Sequence, residues 1–190
     1  MTESANSPVF IVTGASRGIG YAVVQELLRR GARVLGTARK PGTSSSTLVK
    51  TSNGNFHYLQ ADVAVETDRM KTIKRTKHLF GRIDGVINNA GHAFRAPASE
   101  TSVEDFRSLL EINLCAAFSL AQAAYEELRA TRGTVVNISS VTSQVVLPNR
   151  LLRHDKSSAG SFDPLPRRRV GAGWHPRQWR FSLGLLALRW

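Results

Sequence analysis

The sequence predicts an α/β domain with a doubly wound parallel sheet, because strand-like and helix-like segments alternate over the first 149 of its 190 residues. A glycine-rich turn between the first apolar strand and the first amphipathic helix supports this fold class. The alternation stops near Asn149, so we expect a sheet that is incomplete at its C-terminal side. Residues 1–149 form the predicted domain, and residues 150–190 form a poorly ordered basic tail.

The first predicted strand is the apolar run 9–12, and residues 21–30 repeat apolar side chains at helical spacing. Residues 32–37 alternate in the manner of a second strand. Residues 41–55 are rich in Ser, Thr and Gly, so we expect mainly loop with a weak helical tendency near 45–50.

The later elements follow the same rhythm of strand and helix. Short apolar runs predict strands at 56–60, 85–88 and 133–138. Residues 67–80 form a basic amphipathic helix whose charges indicate a solvated face, and residues 103–129 form a long helix with a bend. Residues 150–190 show neither a strand period nor a long helix, and three prolines interrupt them.

The turn after the first strand contains three glycines in the pattern Gly-x-x-x-Gly-x-Gly, at Gly14, Gly18 and Gly20. A turn of this kind lets backbone approach a pyrophosphate, while the following helix contributes its N-terminal amides and dipole. A strand before it and a helix after it make the pattern more specific than three glycines alone. We therefore predict a Rossmann-like nucleotide site rather than an ordinary βα turn.

Several further motifs occur in a fixed order between Ser7 and Asn149. They read V-T-G-A-S-R-G-I-G, A-D-V, G-R-I-D-G-V-I-N-N-A-G, I-N-L and V-V-N-I-S-S-V. In this series the chain resembles the short-chain dehydrogenase/reductase family. The resemblance implies an oxidoreductase that transfers a hydride to or from a carbonyl or secondary alcohol of a small molecule. It also implies a homo-oligomer, whose interface we expect to be compromised here.

The end of the second strand bears on the choice of cofactor. An acidic residue there would bind a ribose 2′-hydroxyl, whereas an arginine accommodates a 2′-phosphate. This position holds Arg39 followed by Lys40, and Arg17 lies inside the glycine turn. We infer NADP(H) rather than NAD(H), since both arginines could bind one phosphate. The alternative is that both arginines are ordinary surface residues.

The resemblance implies the remaining cofactor contacts. Asp62-Val63 matches the family's adenine contact, although a helix-capping aspartate is the alternative. Asn89-Ala90-Gly91 matches a segment where small residues let backbone approach the cofactor and which also steadies the sheet. The predicted cofactor-binding set is Gly14, Ser16, Arg17, Gly18, Ile19, Gly20, Arg39, Asp62, Val63, Asn89, Ala90 and Gly91.

Two catalytic positions of the family are matched and two are not. By resemblance, Ser140 would hydrogen-bond the substrate oxygen, and Asn113 would bend its helix and hold a water for proton relay. The family also uses a tyrosine with a lysine four residues later, about a dozen residues after the serine. No tyrosine follows Tyr125, so this Tyr-x-x-x-Lys pair is absent and the activity of the chain is doubtful.

A shift of reading frame near residue 150 accounts for the missing pair. Permitted codons for residues 150–183, read one nucleotide later, give A-Y-Y-V-M-T-K and then a helical segment ending in R-V-N. Trp174 and Trp179 have a single codon, which must yield glycine in the shifted frame. The other codons were chosen among synonyms. We therefore interpret the chain as a truncated or frameshifted family member.

Composition limits the remaining functions. Residues 1–149 carry 17 Lys and Arg against 12 Asp and Glu, a net charge of +5, and residues 150–190 carry 9 against 2, or +7. Because the excess is concentrated in the tail, we expect no nucleic-acid partner. We also expect no membrane partner, no signal peptide and no metal site. The single cysteine, Cys115, lies in an apolar helical stretch, so we expect it to pack in the core. One cysteine cannot form a disulfide framework, which indicates a reducing compartment, the cytoplasm.

The sequence therefore predicts an NADP(H)-dependent oxidoreductase that is catalytically impaired. Two alternatives remain open. One is a non-catalytic NADP(H)-binding protein, and the other is a basic interaction protein that uses its Arg- and Trp-containing tail.

Overall fold

Five parallel strands form the centre of the computed structural model, which describes residues 7–40, 42–93, 100–139, 181–182 and 185–189. They lie side by side in the order β3-β2-β1-β4-β5, which confirms the predicted doubly wound α/β, Rossmann-like fold class. The strands are β1 (Val9–Thr13), β2 (Arg33–Ala38), β3 (Phe56–Gln60), β4 (Gly85–Asn88) and β5 (Thr134–Ile138).

Helices cover both faces of this sheet. Their bounds are α1 (Gly18–Arg29), α2 (Thr43–Thr51), α3 (Glu66–Phe80), α4 (Val103–Leu110), a π-helical turn (Glu111–Cys115), α5 (Ala116–Ala123) and α6 (Tyr125–Thr131). Successive residues of a strand face opposite sides, and β1 shows this directly. Ile11 packs in a cluster with residues of α3, α5 and α6, whereas Val12 packs in a cluster with residues of α1.

The strand order reverses at β1. The chain first adds β2 and β3 on one side of β1 and then adds β4 and β5 on the other. In open α/β sheets, ligands bind in the crevice beyond the carboxyl ends of the strands at such a switch point. The fold therefore places its natural crevice beyond Thr13 and Asn88.

Two helical predictions need correction. Residues 41–55 were predicted to be mainly loop, but α2 occupies Thr43–Thr51. The predicted long helix 103–129 consists of α4, the π-helical turn, α5 and α6. The apolar neighbours of Cys115 suggested a packing role, but Cys115, the last residue of the π-helical turn, is exposed.

The tail also differs from the prediction of no strand. Two short strands, β6 (Phe181–Ser182) and β7 (Leu185–Arg189), extend the sheet beyond β5. β7 pairs antiparallel with β5, with Ala187 opposite Val136. The parallel part of the sheet therefore ends at β5, in agreement with a sheet that is incomplete at its C-terminal side.

The outer parallel strand is less covered than its neighbour. All four residues of β4 are buried, whereas only Val135 of β5 is buried. Val136 and Ile138 are half-buried on the α1 side of the sheet. In the described part of the chain, no helix is long and apolar enough to cross a membrane.

Helix α5 offers a matched test of core packing. Leu120 is 2% exposed and packs between α3 and the sheet, whereas Phe118 on the same helix is 69% exposed. We expect Leu120→Ala to lower the free energy of unfolding by about 2–5 kcal/mol, because it leaves a cavity. Phe118→Ala should change it by less than about 0.5 kcal/mol. Urea denaturation of both variants measures the difference, and equal losses would contradict the packing described here.

Candidate functional site: a nucleotide cleft at the carboxyl edge of the sheet

A cleft of about 1060 Å³ lies beyond the carboxyl ends of β1 to β4. Its walls come from the glycine turn, the residues after β2, the residues after β3 and the residues after β4. Eleven of the twelve predicted cofactor-binding residues line it: Gly14, Ser16, Arg17, Gly18, Ile19, Arg39, Asp62, Val63, Asn89, Ala90 and Gly91. The structure thus brings together segments that lie far apart in the sequence.

The hydroxyl of Thr13 joins the ends of β1 and β4. It accepts hydrogen bonds from the backbone N–H groups of Asn89 and Ala90 at 3.0 and 2.9 Å, and it donates to the carbonyl of Ile87 at 3.4 Å. Thr13 is 2% exposed, whereas Asn89 and Ala90 are half-buried, so it is the hydroxyl that is shielded from bulk water. Backbone donors at such a partly buried site need a partner, and this hydroxyl accepts from two of them.

The side chain of Asn89 holds the start of the glycine turn by hydrogen bonds. Its Nδ2 donates to the carbonyl oxygens of Thr13 and Gly14 at 2.9 and 3.1 Å. A Cβ atom on Gly14 would lie 2.8 Å from the same Nδ2, and Gly14 has a positive φ of 66°. Only glycine fits this position, because other residues would meet both the contact and the backbone strain.

Gly20 differs from the other predicted contacts, because it is buried and is not among the residues that line the cleft. A Cβ atom there would collide with Asn89 Nδ2 and with the carbonyl oxygen of Gly14. The third glycine therefore lets α1 pack closely against the turn.

The first turn of α1 opens onto the cleft with its backbone amides unpaired within the helix. Arg17 is the N-cap residue and makes no side-chain capping bond, and the first turn contains no acidic residue. Gly18 and Ile19 both line the cleft, and Ile19 is 62% exposed. This end of the helix favours an anion, since the helix dipole adds partial positive charge.

Positive charge dominates the cleft. Arg17, Arg39 and Lys40 are exposed and line it, whereas Asp62 is the only acidic residue among the described lining residues. In the part of the chain that the structure describes, no ion pair or side-chain hydrogen bond engages these three cations. They are available to an anionic ligand.

Asp62 lies at the opposite wall, in the loop that follows β3. Its Oδ1 accepts from the backbone N–H of Ala64 at 3.0 Å, which closes a local turn. The N-cap residue of α3 is Val65, so the helix-capping alternative for Asp62 is wrong. Arg69, which is 9% exposed, donates to the carbonyl of Val63 at 2.6 Å and holds this wall against α3.

Asn113 connects the cleft to the π-helical turn. Its Oδ1 accepts from His92 N at 3.0 Å, and its Nδ2 donates to the His92 carbonyl at 2.8 Å. Asn113 is 4% exposed, and the predicted bend of its helix takes the form of a π-helical turn. Such turns often mark functional sites. Ser140 lies outside the described residues.

The family comparison agrees with this geometry. The model of the short chain dehydrogenase family matches residues 8–151. The chain belongs to the short chain dehydrogenase family. The L-fucose dehydrogenase of Oryctolagus cuniculus is 37% identical over 138 residues, which cover 72% of this chain and 48% of that protein. Oxidoreductase BOA17 of Botryotinia fuckeliana is 32% identical over 166 residues, covering 86% of this chain and 61% of that protein.

Solved structures of the family share the fold. A short-chain dehydrogenase from Streptomyces avermitilis aligns with a TM-score of 0.70 at 30% identity, covering 74% of this chain and 52% of that one. The KRED1-Pglu enzyme aligns with a TM-score of 0.74 at 31% identity, covering 81% and 64%. The chain spans about half the length of the L-fucose dehydrogenases that it matches.

Sequence reasoning missed three residues in or beside this candidate site. Thr13 was only the last residue before the glycines, although its hydroxyl joins two strands. His92 follows the Asn-Ala-Gly segment, lines the cleft and is held by Asn113. Tyr58 donates its hydroxyl to backbone beside Arg39. Thr13 and His92 stand at the edges of recognised motifs, and this position is the only sequence signal that could have marked them as site residues. No sequence signal marked Tyr58.

The Thr13 junction can be tested with an isosteric change. Thr13→Val keeps the shape of the side chain but removes the acceptor for the partly buried N–H groups of Asn89 and Ala90. We expect the free energy of unfolding to fall by about 1–3 kcal/mol, the cost of leaving shielded donors without partners. Thr67→Val is the matched control, because Thr67 is exposed on α3 and has no side-chain hydrogen bond among the described residues. Equal urea midpoints for the two variants would refute the junction.

Proposed function

We propose that this chain binds NADP(H) in the cleft as an NADP(H)-dependent oxidoreductase whose turnover is impaired. The observation that carries this proposal is the convergence of three exposed cations, Arg17, Arg39 and Lys40, with an anion-favouring helix start in one cleft. A cofactor with a pyrophosphate and a third phosphate matches that distribution of charge.

The residues present fit such a cofactor. Gly14 and Gly18 line the cleft without side chains, so a pyrophosphate could approach the backbone amides at the start of α1. Asp62 and Val63 stand at the opposite wall, where Asp62 would accept a hydrogen bond from an adenine amine. Asn89, Ala90 and Gly91 would face the middle of the cofactor.

The preference for a 2′-phosphate rests on the residues after β2. Arg39 follows the strand directly, and the sequence 38–41 contains no acidic residue that could bind a 2′-hydroxyl. Arg17 lines the same cleft from the glycine turn. Two guanidinium groups would form charge-assisted hydrogen bonds with one phosphate. This would favour NADP(H) over NAD(H).

The bound nicotinamide would supply or accept the hydride. Ser140 would hydrogen-bond the substrate oxygen and stabilise its developing charge. Asn113 holds the backbone of His92 with both polar atoms of its amide, so we propose that it fixes this wall of the cleft. The water relay remains a prediction. The dehydrogenase relatives support a small-molecule substrate, and we propose a carbonyl or a secondary alcohol.

Proton transfer is the step that this chain lacks. The substrate oxygen needs a general acid as the hydride arrives, and loss of one typically costs about 10²–10⁴-fold in rate. The three tyrosines are Tyr21, Tyr58 and Tyr125, and none lines the cleft among the described residues. A non-catalytic NADP(H)-binding role is the second candidate, and the missing acid favours it.

We also propose that a shifted reading frame produced residues 150–190 and that the protein resides in the cytoplasm, which its single cysteine supports. The transcript sequence across codons 145–160 tests the frame. An intron boundary or an extra base there would support the shift. An uninterrupted message that encodes this tail would refute it.

Substitution of Arg39 tests the proposed preference for NADP(H). We expect Arg39→Ala to weaken NADPH binding by about 10- to 100-fold, the value of a hydrogen bond to a charged group. NADH binding should change by less than about 3-fold, since NADH has no 2′-phosphate. Arg107→Ala is the control, because Arg107 is an exposed arginine on α4 that pairs with Glu104. Calorimetric titration gives both constants, and tighter binding of NADH by the unaltered protein would end the proposal.

Restoring the shifted frame tests the impairment. A variant whose residues from 150 onward follow A-Y-Y-V-M-T-K and its continuation regains the Tyr-x-x-x-Lys pair. We expect NADPH oxidation with a panel of ketones to rise by about 10²–10⁴-fold over the present chain. The control is the same variant with phenylalanine in place of the second tyrosine, the one four residues before the lysine. Its ketone reduction should stay slow. Rapid ketone reduction by the present chain would contradict the account.

A further inference from the structure

Tyr58 links β3 to the end of β2. It lies opposite Gly36 in the parallel register, and its ring packs against the core cluster on the α1 side of the sheet. The hydroxyl reaches the carbonyl oxygens of Ala38 and Lys40 at 3.0 and 2.8 Å. One hydroxyl proton is thus shared between two acceptors that flank Arg39.

The regular ladder ends just before Arg39. The backbone N–H of Ala61, just after β3, donates at 3.1 Å to the carbonyl of Ala38, the last residue of β2, and among the described residues this is the last backbone bond between the two segments. Beyond it, the Tyr58 hydroxyl makes the hydrogen bond that holds the Lys40 carbonyl within the described part of the chain. The backbone that carries Arg39 is therefore fixed on both sides by one phenol.

This hydroxyl remains a donor under ordinary conditions. Burial raises the pKa of Tyr58 above its usual value, so the phenol stays protonated near neutral pH. A phenylalanine keeps the ring that packs on the core and removes only the donor. The contribution of the hydroxyl can therefore be separated from that of the ring.

We propose that Tyr58 is a specificity-determining positioning residue: its hydrogen bonds to Ala38 and Lys40 hold Arg39 where it meets a ribose 2′-phosphate. The inference rests on the proposed function of the cleft. A side chain on an unrestrained segment must lose more conformational freedom on binding, so pre-organisation raises affinity. Pre-organisation raises the affinity only of ligands that contact Arg39. NADPH would contact it through the 2′-phosphate, whereas NADH has no such group.

The experiment compares Kd values of the full chain for NADPH and NADH by calorimetric titration. Tyr58→Phe should weaken NADPH binding by about 3- to 10-fold, the effect of one neutral hydrogen bond. NADH binding should stay within about 2-fold. Tyr21→Phe is the matched control, since Tyr21 on α1 has no side-chain hydrogen bond among the described residues, and it should change neither constant.

A double-mutant cycle with Arg39→Ala completes the test. Adding Tyr58→Phe to Arg39→Ala should cause no further loss of NADPH binding, because the hydroxyl acts through Arg39. Equal losses for NADPH and NADH, additive losses in the double variant, or unfolding of Tyr58→Phe in a thermal melt would each overturn the inference. Failure of the proposed function looks different: Arg39→Ala itself would then leave the preference between NADPH and NADH unchanged.

Discussion

The Thr13 hydroxyl and the Asn89 side chain form the junction on which the cleft depends. They connect the end of β1 to the end of β4 through hydrogen bonds that span 74 to 77 residues of sequence. Because β1 and β4 are neighbours at the reversal of strand order, this junction lies at the crevice where open α/β sheets bind ligands. The glycine turn is placed against Asn89, and Asn113 extends the support to His92.

The sequence predicted those parts of the structure that local patterns determine. Strands at 56–60 and 85–88 have the predicted bounds, since polar or glycine-containing segments on either side of a short apolar run mark where the strand begins and ends. Motifs predicted a set of cofactor-binding residues, and most of that set lines one cleft. A motif predicts which residues lie at the same site, but it does not predict the hydrogen bonds that position them.

Other features depend on contacts that are remote in sequence. Helix α2 is rich in Ser and Thr, which have modest helix propensity, and its Leu48 packs against the core cluster on the α1 side. Tertiary packing overrides the local pattern there. The roles of Thr13 and Tyr58 require knowing which strands are neighbours. The pairing of β7 with β5 likewise joins segments about 50 residues apart, which no local periodicity reveals.

The cleft and the proton-transfer machinery occupy different parts of the family's sequence. Residues up to β5 build the cleft, while the matching tyrosine and lysine are absent after it. If the proposed function holds, cofactor binding is separable from turnover in this chain. Half-buried Val136 and Ile138 mark the side of β5 where cover is reduced.

The most direct test is an amide chemical-shift map of the isotopically labelled full chain during titration with NADPH. The account predicts saturable shifts at residues 14–20, at Arg39 and Lys40, at Asp62 and Val63, and at residues 89–92, with little change at α6. An absence of shifts at the glycine turn, or shifts confined to residues 181–189, would contradict it.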